Sequence, residues 1–433
     1  MSPRRLDAEG VLEAAPGRCE EQGSATDQKA VRDLLYYFNK VPNHQSLARG
    51  VLRTEPLRIM TIRLISDEGS LRELGEGLAR ESRVAVDLEA AGFHRYSDRV
   101  CLLQVSSGDQ NFVIDTLAVD ASEVLRGPLE SPTVEVLLHG GDYDLRLLDR
   151  DLDLHPVKLF DTQTAAALLG EPSLGLAALL NKYLDVHVSK KYQRADWARR
   201  PLPDDMLEYA ASDTRHLPEL ADLLAQRLEA VGRTSWAEEE SALMEELRWN
   251  STGDVDPVTR VKGVRDLELR EVALLREAWL WRDGLARTRD RAPFRVAGDP
   301  ALLEIVRERP RDVSALGRIH GFSPQLAERS GEELLDRLEQ TDRLDDSELV
   351  GYPRDPAGPR RPQPEVEEVA NRLKGIRNTV AEALGIDRGV LMSNTVILEI
   401  ARVQPRSVAE LVAVTGVRRW QSATLADRFL GAL

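Results

Sequence analysis

The chain has 433 residues, 42% of them hydrophobic, and a net charge of −15 from 73 acidic against 58 basic side chains. That length allows about three domains with packed cores, and the negative balance excludes a protein that grips nucleic acid through a global positive field, though not one that gathers carboxylates in one place and arginines in another. The two cysteines, Cys19 and Cys101, form no C-x-x-C pair or Cys/His cluster, which excludes a structural zinc or a disulfide framework and fits a reducing cytoplasm, and no apolar run approaches the roughly 20 residues of a membrane span.

Met1-Ser2-Pro3-Arg4-Arg5 leads into no apolar stretch, so no signal peptide is expected. Residues 1–55 read as an N-terminal arm with one amphipathic helix over Asp27–Lys40, Val31, Leu34, Leu35 and Phe38 lying on one side. Thr61–Ile65 reads as a strand. Asp67 stands where an N-cap belongs, ahead of a helical pattern through Leu71, Leu74 and Leu78. Strands follow at Arg83–Leu88, Val100–Ser106 and Asn111–Asp115, the last two joined by the turn Ser107-Gly108-Asp109-Gln110. Pro132 precedes another apolar run, Val134–Leu138, and Asp142 is expected to cap the next helix. From Thr162 to about Gln226 the pattern is mostly helical. Strands first, then helices interleaved and dominant, predict a mixed α/β domain.

Beyond it, residues 231–263 read as a linker and the chain from 264 as nearly all helix. A second linker, 346–364, ends in a stretch with five prolines and two glycines between Gly351 and Pro364 and is expected to be extended. The two flanking segments, 264–345 and 365–433, are related. Leu303-Glu304-Ile305 matches Leu398-Glu399-Ile400, Pro310-Arg311 matches Pro405-Arg406, and Val313, Leu316 and Gly321 match Val408, Leu411 and Gly416. Arg282 and Ala286 likewise match Arg377 and Ala381. The offset is the same throughout (398 − 303 = 95), which marks two copies of one small helical module.

Three acidic groups stand out. Asp87 and Glu89 are at i and i+2 at the end of an apolar strand, so both side chains share a face. Adjacent carboxylates repel, and burying them is costly unless a cation intervenes. Alone, such a pair is more often a solvated strand end. Asp144 follows the turn His139-Gly140-Gly141 and sits in the first turn of a helix, where it also complements the helix dipole. Tyr209 and Asp213, at i and i+4, share one helix face, and Ala210 and Ala211 between them let that helix approach closely. Together, four carboxylates from separate elements match what a pair of hard divalent cations requires. No G-x-S-x-G accompanies His139-Gly140-Gly141, so a serine hydrolase is not indicated, and Gly75-Glu76-Gly77 lacks the spacing of a dinucleotide loop.

Asp87-Leu88-Glu89, Asp144 and Tyr209-x-x-x-Asp213 resemble the three motifs of the DEDD exonuclease superfamily in its tyrosine subclass. Leu102-Leu103-Gln104, Phe160-Asp161-Thr162-Gln163, Ala195-Asp196-Trp197 and Arg200-Pro201-Leu202 strengthen the resemblance to the ribonuclease D family, and the repeated module resembles the HRDC domain. The resemblance implies a ribonuclease H-like α/β exonuclease domain over 56–230, its mixed sheet flanked by helices, followed by two all-α HRDC-like domains over 264–345 and 365–433. It implies a 3′–5′ exoribonuclease that uses two Mg²⁺ ions, or Mn²⁺, and releases nucleoside 5′-monophosphates from RNA 3′ ends such as those of tRNA precursors. One metal would be held by Asp87, Glu89 and Asp213, the other by Asp87 and Asp144, and Tyr209 would orient the attacking water. Phe93, Gln104, His139, Lys191 and Trp197 are expected near the substrate, with Lys190 and Arg194 beside them. Phe93 is equally open to ordinary packing, and His139 to a structural hydrogen bond. Arginines of the first module (Arg282, Arg287, Arg289, Arg291, Arg295, Arg307, Arg309 and Arg311), and Arg402, Arg406, Arg418, Arg419 and an exposed Trp420 of the second, are candidates for RNA contact as groups, although acids interleave them and any one arginine reads better as part of a solvated helix face. A monomer acting in the cytoplasm, without a membrane, is expected. A DNA exonuclease of the same superfamily and an inactive RNA-binding scaffold are the competing readings.

Overall fold

The computed structural model describes residues 61–250, 255–353 and 363–433. The helix expected over Asp27–Lys40 lies outside them. A six-stranded mixed sheet organises the first domain, with strands β1 (Ile62–Ile65), β2 (Arg83–Ala90), β3 (Val100–Ser107), β4 (Gln110–Asp115), β5 (Glu135–Leu138) and β6 (Leu159–Asp161) in the order β1-β4-β3-β2-β5-β6. The run β2-β3-β4 is an antiparallel meander, whereas β1 joins β4, and β5 and β6 extend from β2, in parallel. The short β6 was not expected, because Leu159-Phe160-Asp161 is too brief to show an alternation.

Helices α1 (Glu68–Leu78), α2 (Ser122–Leu129) and α3 (Asp142–Leu152) cover one face through Val84, Val86 and Leu88 of β2. The other face carries α4 (Thr162–Leu168), α5 (Leu176–Leu184), α6 (Asp204–Arg215) and α7 (Leu217–Ala230). Asp67 does cap α1, accepting from the amides of Gly69 and Ser70. Asp142 does not cap α3. Gly141 holds the cap position, and Asp142 is the first helical residue, paired with Arg146 one turn on at 3.1 Å.

The segment 231–263 is not a plain linker. Thr234–Glu245 forms helix α8, and Val258 and Val261 are buried in the core of the first repeat. Its acidic composition reflects pairing across domains: Glu239 accepts the amides of Arg419 and Trp420, and Glu240 pairs with the Arg418 side chain.

The first repeat comprises α9 (Leu269–Thr288), α10 (Pro293–Val296), α11 (Asp299–Glu308), α12 (Val313–Leu316) and α13 (Pro324–Asp342). The second comprises α14 (Pro364–Leu384), α15 (Arg388–Leu391), α16 (Asn394–Val403), α17 (Val408–Ala413) and α18 (Arg419–Leu430). Starts of the last four helices in each copy differ by the sequence offset, and so do finer features. Arg309 and Gln404 both adopt positive φ, 48° and 50°, at equivalent helix ends. Arg282, expected as an RNA contact, is placed in the core instead, as is its counterpart Arg377. They are buried and donate to the carbonyls of Ala297 and Met392, and to Asp299 and Asn394. The second repeat shares one continuous core with α4, α5, α7 and α8, whereas the first has a core of its own. Trp420 is buried, stacked on Trp236 of α8 at 4.4 Å and 18°. No helix among the described residues is long and apolar enough to cross a membrane.

Candidate active site

Strand β2 is the axis of the site. Its positions Ala85, Asp87 and Glu89 face the α4–α7 side, while Val84, Val86 and Leu88 face the opposite core. β5 pairs with β2 only as far as Ala85↔Leu137, so continuing the register sets Asp87 level with His139, where β5 has already turned. That turn starts α3 and delivers Asp144. α6 crosses the sheet on the same side, its approach set by the fully buried Ala210 and Ala211, which bring Tyr209 and Asp213 over the end of β2.

Oxygen atoms of Asp87, Glu89 and Asp213 lie within 4.8 Å of one another. Asp87, Glu89 and Asp213 line a cleft, whereas Asp144 stands outside this cluster and the cleft lining but near enough to act on Asp87 and Glu89, and the surrounding protein strips much of the water from all four carboxylates. Burial, with like charge from Asp144, Asp213 and Glu89, holds Asp87 well above the usual carboxylate range. Glu89 is raised in the same way, by burial and then by Asp213 and Asp144. Burial pushes Asp144 and Asp213 up to about 7, with Asp161 adding to the effect on Asp144. Mutually repelling carboxylates are unfavourable without compensation, and hard oxygen donors at this spacing suit a divalent cation. Gln104, directly across from Asp87 on β3, is fully buried with both amide atoms unpartnered among the described residues, so the floor of the site has hydrogen-bonding capacity to spare. The donor set therefore fits a divalent metal.

Tyr209 is held by aromatic contacts with Tyr192 and Trp197, both at 5.9 Å between ring centroids. Burial, then the charges of Asp213, Glu89 and Asp87, raise its hydroxyl above the usual phenol range. It stays a neutral phenol, able to donate a hydrogen bond but not to act as a base near neutrality. His139 also lines the cleft. One ring nitrogen lies 2.9 Å from Thr162 Oγ1, the other has no partner among the described residues, and burial lowers its basicity.

The cleft encloses about 650 Å³ between these groups, Gln163, Lys190, Gln193 and the segment Ser173–Ala178. That segment includes the N-terminus of α5, whose free amides and helix dipole favour an anion such as a phosphate. The other expected substrate residues are placed differently. Lys191 faces a neighbouring groove, paired with Asp205 at 3.0 Å and lying over Tyr192. Trp197 is buried beneath Tyr209 and offers no surface to a substrate. Phe93 is partly exposed, beside the cleft rather than lining it. Two residues quoted above only as part of a motif, with no role given, also contribute. Gln163 enters the cleft, and the buried Asp161 caps α4 while accepting the Gly141 amide at 3.0 Å, tying β6 to the turn that aims Asp144. The Asp161-Thr162-Gln163-Thr164 cap pattern was the available signal.

A family model described as 3′-5′ exonuclease matches residues 62–229, and one for the HRDC domain matches 271–338 and 366–433. The chain is 30% identical to ribonuclease D of Granulibacter bethesdensis over 82% of this chain and 89% of that protein. It is 30% identical to ribonuclease D of Pseudomonas paraeruginosa over 86% and 97% of the two chains. The crystal structure of Escherichia coli RNase D, 26% identical, superposes with a TM-score of 0.64 over 86% of this chain and 99% of that one. Identity of 30% over most of both chains, with these two domain matches, shows that the chain belongs to the ribonuclease D family: it is a 3′–5′ exoribonuclease dependent on divalent metal, with two HRDC domains.

Proposed function

We propose that the enzyme trims the 3′ ends of stable, structured RNAs such as tRNA precursors, one nucleotide at a time, with Mg²⁺ (or Mn²⁺) bound at Asp87, Glu89, Asp144 and Asp213. The observation that carries this reading is the convergence of Asp87, Glu89 and Asp213 oxygens within 4.8 Å on the floor of a cleft wide enough for a nucleotide. Asp87, Glu89 and Asp213 would hold one cation, and Asp87 with Asp144 the second. When bound, such ions acidify a water and stabilise the leaving oxygen. Tyr209, kept protonated, donates a hydrogen bond that orients that water toward phosphorus. The α5 N-terminus and Lys190 receive the phosphate. The water oxygen bonds to phosphorus as the bond to the 3′ oxygen of the preceding nucleotide breaks, and a nucleoside 5′-monophosphate leaves. The Escherichia coli neighbour is described as an exoribonuclease involved in structured RNA processing, which supports the substrate class. A reducing cytoplasm suits a chain with two isolated cysteines, and we infer a monomer.

The test is digestion of 5′-labelled single-stranded RNA and of a tRNA with an extended 3′ end, with Mg²⁺ or Mn²⁺, beside an Asp87→Asn variant. A ladder shortening from the 3′ end, lost in the variant, is expected. Equal digestion by wild type and variant would place the chemistry elsewhere.

A further inference from the structure

Outside the carboxylate site, the seam between the exonuclease domain and the first HRDC copy carries two aromatic rings that the fold leaves in water. Phe93, just beyond β2, is 37% exposed and Phe294, on α10, is 51% exposed. Their centroids are 5.4 Å apart, with planes inclined at 57°. Neighbouring exposed phenyl rings forgo hydrophobic stabilisation that burial would give, so such a pair marks a surface meant to be covered. Two guanidinium groups accompany them, Arg194 at 5.6 Å and Arg295 at 5.4 Å from the Phe93 centroid.

Among the described residues, neither of these arginines pairs with a carboxylate, whereas their neighbours do: Arg95 with Asp196 and Asp290, and Arg287 with Asp283. The patch is also held in place. The Ala292 amide donates to the His94 carbonyl at 3.1 Å, and a His94 ring nitrogen lies 2.9 Å from the Arg194 carbonyl. Gln193, adjacent to Arg194 in the chain, lines the cleft, so the patch begins at the rim of the active site.

We propose that Phe93 and Phe294, with Arg194 and Arg295, form a stacking platform for unpaired nucleobases of the RNA strand just upstream of the terminal nucleotide. The first HRDC copy then supplies part of the substrate groove itself. Every base offers a face to an aromatic ring, so the contact holds single strands regardless of sequence, while the arginines meet the phosphates between stacked bases. A base-paired end cannot lay its bases on the rings, and the platform therefore also sets how many unpaired nucleotides the enzyme needs. This inference rests on the exoribonuclease reading and extends it to the incoming strand.

The test is fluorescence anisotropy of full-length enzyme in EDTA, where nothing is hydrolysed, with a short labelled single-stranded RNA. The same RNA with one abasic nucleotide at successive positions from the 3′ end completes a double-mutant cycle. Phe294→Ala is expected to weaken binding about tenfold, the range of one base–aromatic stack, and Phe294→Tyr to restore it. One abasic position should cost wild type a similar factor and cost Phe294→Ala nothing further. Unchanged binding by Phe294→Ala, or losses that simply multiply at every abasic position, would overturn the platform. Digestion of the intact RNA by wild type with Mg²⁺, run in parallel, reads the catalytic assignment separately.

Discussion

Trp197 lies beneath Tyr209, ring centroids 5.9 Å apart and planes 32° apart, and is itself 2% exposed. The indole gives a floor to the phenol proposed above to aim the water. Replacing Trp197 by Ala removes a fully buried aromatic, a loss of about 3–5 kcal/mol in stability. Trp197→Phe keeps most of the packing, and its expected effect is on kcat, with KM little changed, because the indole is buried and does not line the cleft. Tyr209→Phe isolates the hydroxyl and should lower kcat about 10²-fold, the usual worth of one positioned proton donor. If Trp197→Phe raised KM while sparing kcat, Trp197 would be a substrate contact after all. Steady-state kinetics on a short RNA decides.

Neutralising a carboxylate in this cluster should separate stability from activity. At pH 8 without metal, Asp213 sits among like charges in a partly dehydrated site and works against folding. Asp213→Asn relieves that repulsion at nearly constant shape, so the metal-free variant should gain about 1–2 kcal/mol, discounted for its exposure to the cleft. The same change removes a cation ligand and should cost at least about 10³-fold in kcat, several kcal/mol of transition-state stabilisation. Thermal melts in EDTA beside RNA digestion check both. A variant that melts below wild type in EDTA would mean Asp213 is held by something other than its acidic neighbours.

Much of the candidate site's geometry was legible in the sequence because it follows from periodicity. A step of two along a strand puts Asp87 and Glu89 on one face, and a step of four along a helix aligns Tyr209 with Asp213. Neither depends on tertiary context. Trp197 and Trp420 were misplaced because an aromatic among charged residues looks the same in sequence whether it meets a substrate or another aromatic ring of the protein. Lys191 was misassigned for a related reason: in a loop, adjacent residues diverge, and Lys190 enters the cleft while Lys191 turns to Asp205. The constant repeat offset revealed the two modules but not that the second shares its core with the exonuclease domain, since no local pattern records which partner an apolar face will meet.

Metal binding should depend steeply on pH. Burial pushes the Asp144 and Asp213 carboxyls up to about 7, against an ordinary value near 4. In the metal-free protein this costs no stability below about pH 4, where both states are protonated. The cost grows as pH rises from there, because the unfolded chain ionises first, and is complete above about pH 7. A cation must displace those protons. The rise in melting temperature on adding Mg²⁺ should therefore be small at pH 5.5 and large at pH 8, with activity climbing through neutrality. A Mg²⁺ effect of equal size at both pH values would show that the cluster does not hold its protons as described.

The two HRDC copies should differ in how they unfold. The second is fused to the exonuclease domain by a continuous apolar core, by the Trp236–Trp420 stack, and by Arg233, whose guanidinium donates to both the Leu168 and Leu384 carbonyls. The first has a separate core and meets the exonuclease domain in the Phe93–Phe294 contact and in polar bonds such as Tyr96 to Asp283 and Arg95 to Asp290. Polar bonds of this kind at an exposed seam contribute little each. Calorimetry should resolve two transitions, the smaller belonging to residues of the first copy. Trp420→Ala, a large-to-small change in the shared core worth about 3–5 kcal/mol, should lower the larger transition and leave the smaller where it is. A single transition lowered as a whole by Trp420→Ala would mean that the polar seam couples the first copy as tightly as the shared core couples the second.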